Sequence, residues 1–436
     1  MRSNPQRLAW ITLLGALALF CLLCVSSVIF ARWLLFESPT QLSVTLHVAR
    51  GTVGVSKPDT SGEQAVRTTD TVGQENTLST DNDSQGYLAF ADPYSGQVLA
   101  TVTLHHDSVM TLDRASRPRF SLSDNPYSIR VTGIVGRVDV WVNGDLDREL
   151  RLDLVGPLGT ILVSEPGTLF VESTADFQTV TARDGTAILV SYTDQTQHIA
   201  PSTKATLYRE SPNIEVASSP IELLPNSDFR QSEDWPVGWS CAFRPSPDNL
   251  NGPAGQWLAT TVDGRTVMHI QRMQPEPGPG RTGCVQYLAG PRGQDVTGYA
   301  TVSLRATMRV QYQSLSACGD QGSECPVMLH MVYLDPAGNE LHWYHGFYTK
   351  YTPNVGRTRC DSCLEPHEQI SENAWYTYEL EDLFADLPTD RRPGSIIEIE
   401  FYGEGHQYDV LIDELSLLAT LPDEGAPSVA SQSAAP

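Results

Sequence analysis

Apolar residues are spaced in three ways along the chain, and each predicts a different kind of element. From Leu8 to Phe30 the sequence LAWITLLGALALFCLLCVSSVIF carries no charged side chain, enough for a helix crossing a hydrocarbon core of about 30 Å. From Leu42 to about Leu207, short runs alternate with period two and are broken by Gly, Asp, Asn and Pro, which predicts strands and no helices. In GRVDVWVNG, Val138, Val140 and Val142 share one strand face and Asp139 and Trp141 the other. One face is therefore expected in the core and the other in water.

The stretch SPNIEVASSP, Ser211 to Pro220, reads as a joint, and a second β-rich block runs from about Ile221 to Leu421. Its strand candidates are YATVSLRATMRVQY, VMLHMVYLD, ELHWYHGFYTKY, WYTYELEDL, SIIEIEFYG and YDVLIDELSLL, whose spacing suggests a sandwich. From Pro422 the sequence is Ser/Ala/Pro-rich without periodicity, so a disordered tail is expected. The expected fold class is an all-β ectodomain carrying one N-terminal transmembrane helix. The expected division is 1–36 for a cytoplasmic stub and anchor, 41–210 and 221–421 for two β domains, and 422–436 for the tail.

Charge removes some partners. The 436 residues carry a formal net charge of -23, which argues against nucleic acid and against electrostatic docking on anionic lipid, both of which need clustered Lys and Arg. Arg2 and Arg7 precede the apolar run and Arg32 follows it, so the positive-inside bias places the N-terminus in the cytoplasm and the bulk outside, at a cell membrane. A cleaved signal peptide with Val25 and Ser27 at its site is the rival reading, against which the apolar run is longer than the usual h-region of roughly 7–15 residues. Cys21 and Cys24 lack the preceding small residue of a lipid-attachment site, and Gly15, Ala16 and Ala18 offer a small-residue face for span association.

Two resemblances follow from motifs. ARGTVGVS, then DTVGQENTLSTDNDSQGYLAFADPYSG with Gly73, Leu78, Thr80, Ser84 and Leu88, then VTLHHDSVMTL, GRVDVWV, EPGTLFVES and VTARDGTAILVS, resemble in order the segments of the FecR-like domain. IAPSTKATL closes the match, with Ser202 where the family has Gly. That family is a β-repeat module of iron-dicitrate signalling proteins and other bacterial envelope proteins. The resemblance implies an alternative role in envelope signalling or protein interaction. Members that signal carry a sigma-factor-binding region before their span, and here seven residues precede Leu8.

LLPNSDFRQSEDWPVGW and DVLIDELSLL resemble the opening and closing segments of galactose-binding-like jelly rolls, which include carbohydrate-binding modules. This resemblance implies recognition of a glycan or envelope polysaccharide. It also implies a structural calcium at Asn226, Asp228 and Asp413, although Arg230 stands where the family commonly has Glu.

Candidate chemistry is sparse. Glycan platforms need exposed rings, and Trp257, Trp343, Tyr344 and Tyr348 are the candidates, with Trp375 a further aromatic. In ELHWYHGFYTKY, Trp343, His345 and Phe347 share one face and His342, Tyr344 and Tyr348 the other, so at most one face is a platform. Cys241, Cys284, Cys318, Cys325, Cys360 and Cys363 are even in number and expected outside, which reads as disulfides. Cys241 with Cys284 is the first expected pair. Zinc held by Cys318, Cys325, Cys360 and Cys363 is the alternative, and a redox CxxC lacks its βαβ setting. No nucleophile, P-loop or dinucleotide fingerprint occurs. Acidic pairs such as Glu379 and Glu381 are candidates for glycoside hydrolysis, which needs two carboxyl groups at a set separation across a cleft, and the chain is expected not to be an enzyme.

Overall fold

The computed structural model describes residues 5–422 apart from 59, 61, 232–235, 247–249, 251, 275–277 and 291. The expected tail, from residue 423, and Arg2 lie outside the described residues. One helix, Pro5–Arg32, runs into a wider turn at Trp33–Glu37, and by length and composition this segment is able to cross a membrane. The rest is almost entirely β.

The strands between Pro39 and Ser218 form one hydrogen-bonded system that closes on itself. Its core is aliphatic, with Leu46, Leu88, Val102, Val138, Val140, Leu152 and Leu189 buried. Ser211–Ser218, expected as a joint, is instead a strand paired with Thr203–Tyr208. Its alternating polar residues satisfy an edge strand as readily as a linker, so composition misplaced the boundary. The next strand, Ile221–Glu222, already pairs with the closing strand of the second domain, which leaves Ser219 and Pro220 as the crossing point.

The second domain is a β-sandwich whose six expected strands are all present. One sheet contains Gln256–Val262, Arg265–Arg272, Tyr408–Thr420, Thr301–Gln313 and Tyr376–Leu380 in that order. The other contains Ser240–Pro245, Gly280–Tyr287, Ser395–Gly405, Val327–Leu334 and Glu340–Tyr348. Between them lies an aromatic-rich core that includes Phe229, Trp239, Tyr333, Trp343, Phe347 and Phe401.

Asp139 and Trp141, expected on a wet face, are both 7% exposed. The second domain covers them. The outer face of the sheet bearing Thr301–Gln313 packs against the first domain through polar and charged side chains, so alternation read the polarity correctly and the environment wrongly.

Candidate functional site

Of the sandwich's two outer faces, one is closed by the first domain. At its centre Arg305, with 4% side-chain exposure, donates to Asp139 across the boundary at 2.5 Å and lies 3.3 Å from both Glu379 and Glu414. His105 meets the same Asp139 carboxylate at 2.6 Å. Arg183 of the first domain reaches Glu414 at 2.5 Å, Arg50 reaches Glu368 at 2.6 Å, and Arg137 pairs with Glu379. Gln85 exchanges two hydrogen bonds with the backbone of Thr377, at 2.9 and 2.8 Å. Burial pushes the Asp139 carboxyl up, but the Arg305 and His105 charges outweigh it and hold the group well below the usual carboxylate range.

Beside this cluster lies a cavity of about 230 Å³ lined by Thr103, Asp139, Trp141, Arg265, Arg305 and Asp413, among others. Four arginines and five carboxylates line it, and each arginine is paired with a carboxylate. Glu379 and Glu381 line one small pocket together, but Glu379 is committed to Arg137 and Arg305, and Arg137 also lies 4.0 Å from Glu381, which has 69% side-chain exposure. Trp375 lies in the same seam, beneath Arg309 and Arg265.

The opposite sheet is left uncovered by the first domain, and strand register dictates what stands on its outer face, where His342 is exposed and Tyr344 half-buried while Val285, His330, Val332 and Glu400 are buried among their neighbours. One cross-strand row reads Val285, Glu400, His330, Tyr344; the next reads Tyr287, Glu398, Val332, His342. The His330 and His342 planes differ by 6° with centroids 5.3 Å apart, and Nε2 of one lies 3.0 Å from Nδ1 of the other. The two imidazoles therefore lie edge to edge in one plate. Tyr344 stacks on His330 at 4.3 Å and 1°. Tyr287 is 64% exposed at the margin.

Burial pushes the Glu400 carboxyl up, yet the His330 hydrogen bond and the Arg281 charge outweigh it and hold the group below its ordinary value. An ionised carboxylate only accepts, so His330 Nδ1, 3.2 Å away, is the donor. His330 Nε2 and His342 Nδ1 are joined by one hydrogen bond, and His342 Nε2 lies 3.6 Å from Glu340 Oε1 at the surface. Arg281 also pairs with Glu400 and lies 3.4 Å over the Tyr402 ring. Burial, with Arg281 opposing and Glu324 and Glu400 adding to it, pushes Glu404 up to about 7.

The far end of this face is roofed by the Cys318–Cys325 loop, whose residues Ala317, Cys318 and Cys325 pack on Met328, Tyr348 and Tyr402. The bonded pairs are Cys241–Cys284, Cys318–Cys325 and Cys360–Cys363. His367 lies between the last two, with ligand atoms of each group within 4.8 Å of one another. Its Nδ1 accepts from the Gly346 amide and its Nε2 meets the Gly322 carbonyl, both at 2.8 Å. With the sulfurs paired and both ring nitrogens engaged, the zinc alternative has no free donor set here.

The four expected platform rings do not converge. Trp343 is 4% exposed and faces the core, because Phe347 and the other residues of its parity fill the sandwich. Trp257 packs against the same core from the other sheet, and Tyr348 lies under the Cys318–Cys325 loop at 6% exposure. Tyr344 alone belongs to the open face. His342 was placed on the Tyr344 face by the sequence, whereas His330, Glu398, Glu400 and Tyr287 were not singled out; alternation within SIIEIEFYG and VMLHMVYLD marked the first three, but only the covered sheet reveals which parity is open.

The residues expected to hold calcium do not fit a cation. The Asn226 side chain bonds to the backbone of Gln231 and Val237. Asp228 lies against Arg230, and Asp413 pairs with Arg265 at 2.5 Å. Two guanidinium groups thus occupy the charge environment a cation needs.

No protein-family model and no curated protein matches this sequence. Among solved structures, one match is a protein proposed as an anti-sigma factor from Parabacteroides distasonis ATCC 8503, at 15% identity and TM-score 0.25, covering 33% of this chain and 59% of that one. The chain thus spans about three fifths of that structure. The family 11 carbohydrate-binding module of a cellulosomal cellulase of Clostridium thermocellum matches at 14% identity and TM-score 0.24, covering 48% of this chain and 99% of the module. The CBM22-1 xylan-binding domain of Paenibacillus barcinonensis Xyn10C matches at 12% and 0.25, covering 47% and 99%. At these scores no functional argument rests on the likenesses.

Proposed function

We propose that the protein is a membrane-tethered, extracytoplasmic binding protein without catalytic activity, whose second domain holds an uncharged polysaccharide on the open outer sheet. The observation that carries this reading is the register-built row of Tyr344, His330 and Glu400, with His342 beside it, on the one sandwich face that the first domain leaves free. The Tyr344 and Tyr287 rings supply the apolar surface that sugar faces seek, the Glu398 carboxylate supplies acceptors for hydroxyl donors, and buried Glu400, held by His330 and Arg281, fixes the rings from beneath. The charge on this face includes the Glu398 and Glu340 carboxylates, Arg281 is already paired and exposed Arg244 is the cation beside it, so an uncharged glycan fits better than a polyanionic one. In this reading the first domain, FecR-like in its motifs, is a rigid base, and the apolar helix is retained as a span with its N-terminus in the cytoplasm.

The test is affinity electrophoresis of the oxidised ectodomain, residues 41–421, through gels containing neutral or anionic polysaccharides. Retardation by one or more neutral polymers, abolished by Tyr344→Ala and absent with anionic ones, supports the proposal. Free migration through every neutral polymer overturns it.

A further inference from the structure

The apolar helix passes into the first domain without a flexible linker. Ser38 Oγ donates back to Leu34 at 2.6 Å, and Pro39–Gln41 then pairs directly with Ser116–Pro118. The loop that follows this partner strand returns to the helix end. Arg119 N donates to Ser38 O at 3.0 Å, and Ser123 Oγ and Asn125 Nδ2 both donate to Phe36 O, at 2.5 and 3.1 Å. From the other side Arg148 holds the loop through the carbonyls of Ser123 and Asn125. The segment Arg119–Pro126 is thus stapled to the last turn of the helix.

Helix geometry places that turn. Trp10 and Trp33 lie roughly 35 Å apart along the helix at 1.5 Å rise per residue, which brackets a hydrocarbon core of about 30 Å with the indole rings at the two interfaces, where tryptophan is enriched. Phe36, about one turn beyond Trp33, belongs to the headgroup layer. The loop bound to its carbonyl therefore lies at the same depth. This loop carries two apolar side chains turned away from the protein: Leu122 is 63% exposed and Phe120 37%, beside Trp33 at 47% and Phe36 at 45%.

We propose that Arg119–Pro126 is a second membrane contact, with Phe120 and Leu122 entering the headgroup layer of the outer leaflet beside the span. The occupant of this apolar patch is the bilayer itself, because the patch is continuous with the helix that crosses it. The contact is apolar rather than electrostatic, consistent with the acidity of the chain. The ectodomain is thereby seated at a fixed attitude instead of swinging on a tether. This inference rests on the helix being retained as a span.

The experiment uses the full chain in phosphatidylcholine vesicles, with Cys21→Ser and Cys24→Ser to remove the free thiols and Leu122→Cys labelled with an environment-sensitive fluorophore. A second protein carries the label at Leu258→Cys, a 60% exposed position on the second domain. The expected result is a blue-shifted emission at position 122 that lipids bearing shallow quenchers extinguish, with neither effect at position 258. Resistance to alkaline extraction is measured in parallel. Protein that resists extraction but shows unshifted, unquenched emission at position 122 overturns the seating while the span stands. Protein that is extracted removes the span reading and the seating with it.

Discussion

Trp343 and Tyr344 are adjacent on one strand and have opposite surroundings, which separates a packing ring from a binding ring by mutation. Trp343→Ala opens a core cavity and is expected to cost about 3–5 kcal/mol, whereas Tyr344→Ala on the half-open face should cost about 1 kcal/mol or less; thermal unfolding of the two variants checks this. Two buried titratable groups oppose each other in their pH dependence. Burial holds His367 down at about 4, so its neutral form stabilises the fold above the ordinary value near 6.5 and that stability, roughly 3 kcal/mol, is lost as pH falls toward 4. Glu404, pushed up to about 7, does the reverse: its protonated form is accommodated at low pH and stability is lost as pH rises through 7. Glu404→Gln should therefore raise stability at pH 8 by about 2 kcal/mol, allowing for partial exposure, and leave it nearly unchanged at pH 4.5. Chemical denaturation at the two pH values reads the difference. The sequence alone could assign Trp343 and Tyr344 to opposite faces but not choose between them, because both faces of that strand carry aromatics. His367 was invisible for a different reason: its environment comes from Gly346 and Gly322, far apart in the chain.

At the level of strands and loops, alternation located six strands of the second domain but not Ser240–Pro245, Gln256–Val262, Arg265–Arg272 or Gly280–Tyr287. It failed at Ser211–Ser218, where a polar edge strand has the composition of a joint. The disulfides differ in what they constrain. Cys241 and Cys284 face each other on neighbouring strands with a sequence separation of 43, while the separations at Cys318–Cys325 and Cys360–Cys363 are 7 and 3. In the chain-entropy account, the first should contribute about 4 kcal/mol and the last about 2 kcal/mol. Paired Cys→Ser replacement, followed by denaturant titration, should reproduce that order. Equal losses would contradict the chain-entropy order and mean that the short loops contribute through native-state contacts instead, as the Cys318–Cys325 loop does on Tyr348 and Tyr402.

On the scale of the whole molecule, the two domains behave as one body because their contact is a buried lattice of complementary charges. Arg305 is its centre, and Arg305→Met leaves Asp139, Glu379 and Glu414 short of a buried partner, a change expected to cost about 3–5 kcal/mol. Calorimetry should show one transition for the native ectodomain and a lowered or split one for the variant. No sequence pattern announced this seam, since Asp139, Thr103 and Arg305 look like any solvent-facing residues of alternating strands until the second domain is laid on them. By closing one outer sheet, the seam leaves the Tyr344 face uncovered, and the proposed ligand site lies there. The central claim is tested most directly by calorimetric titration of the oxidised ectodomain with an uncharged oligosaccharide from a polymer that retards it, comparing native protein with Tyr344→Ala and Arg281→Lys. The account predicts saturable binding by the native protein, weakened at least about tenfold, some 1.4 kcal/mol, by Tyr344→Ala at unchanged thermal stability. Binding that survives Tyr344→Ala intact, or that follows instead the interdomain cavity when Thr103→Val is introduced there, would contradict it.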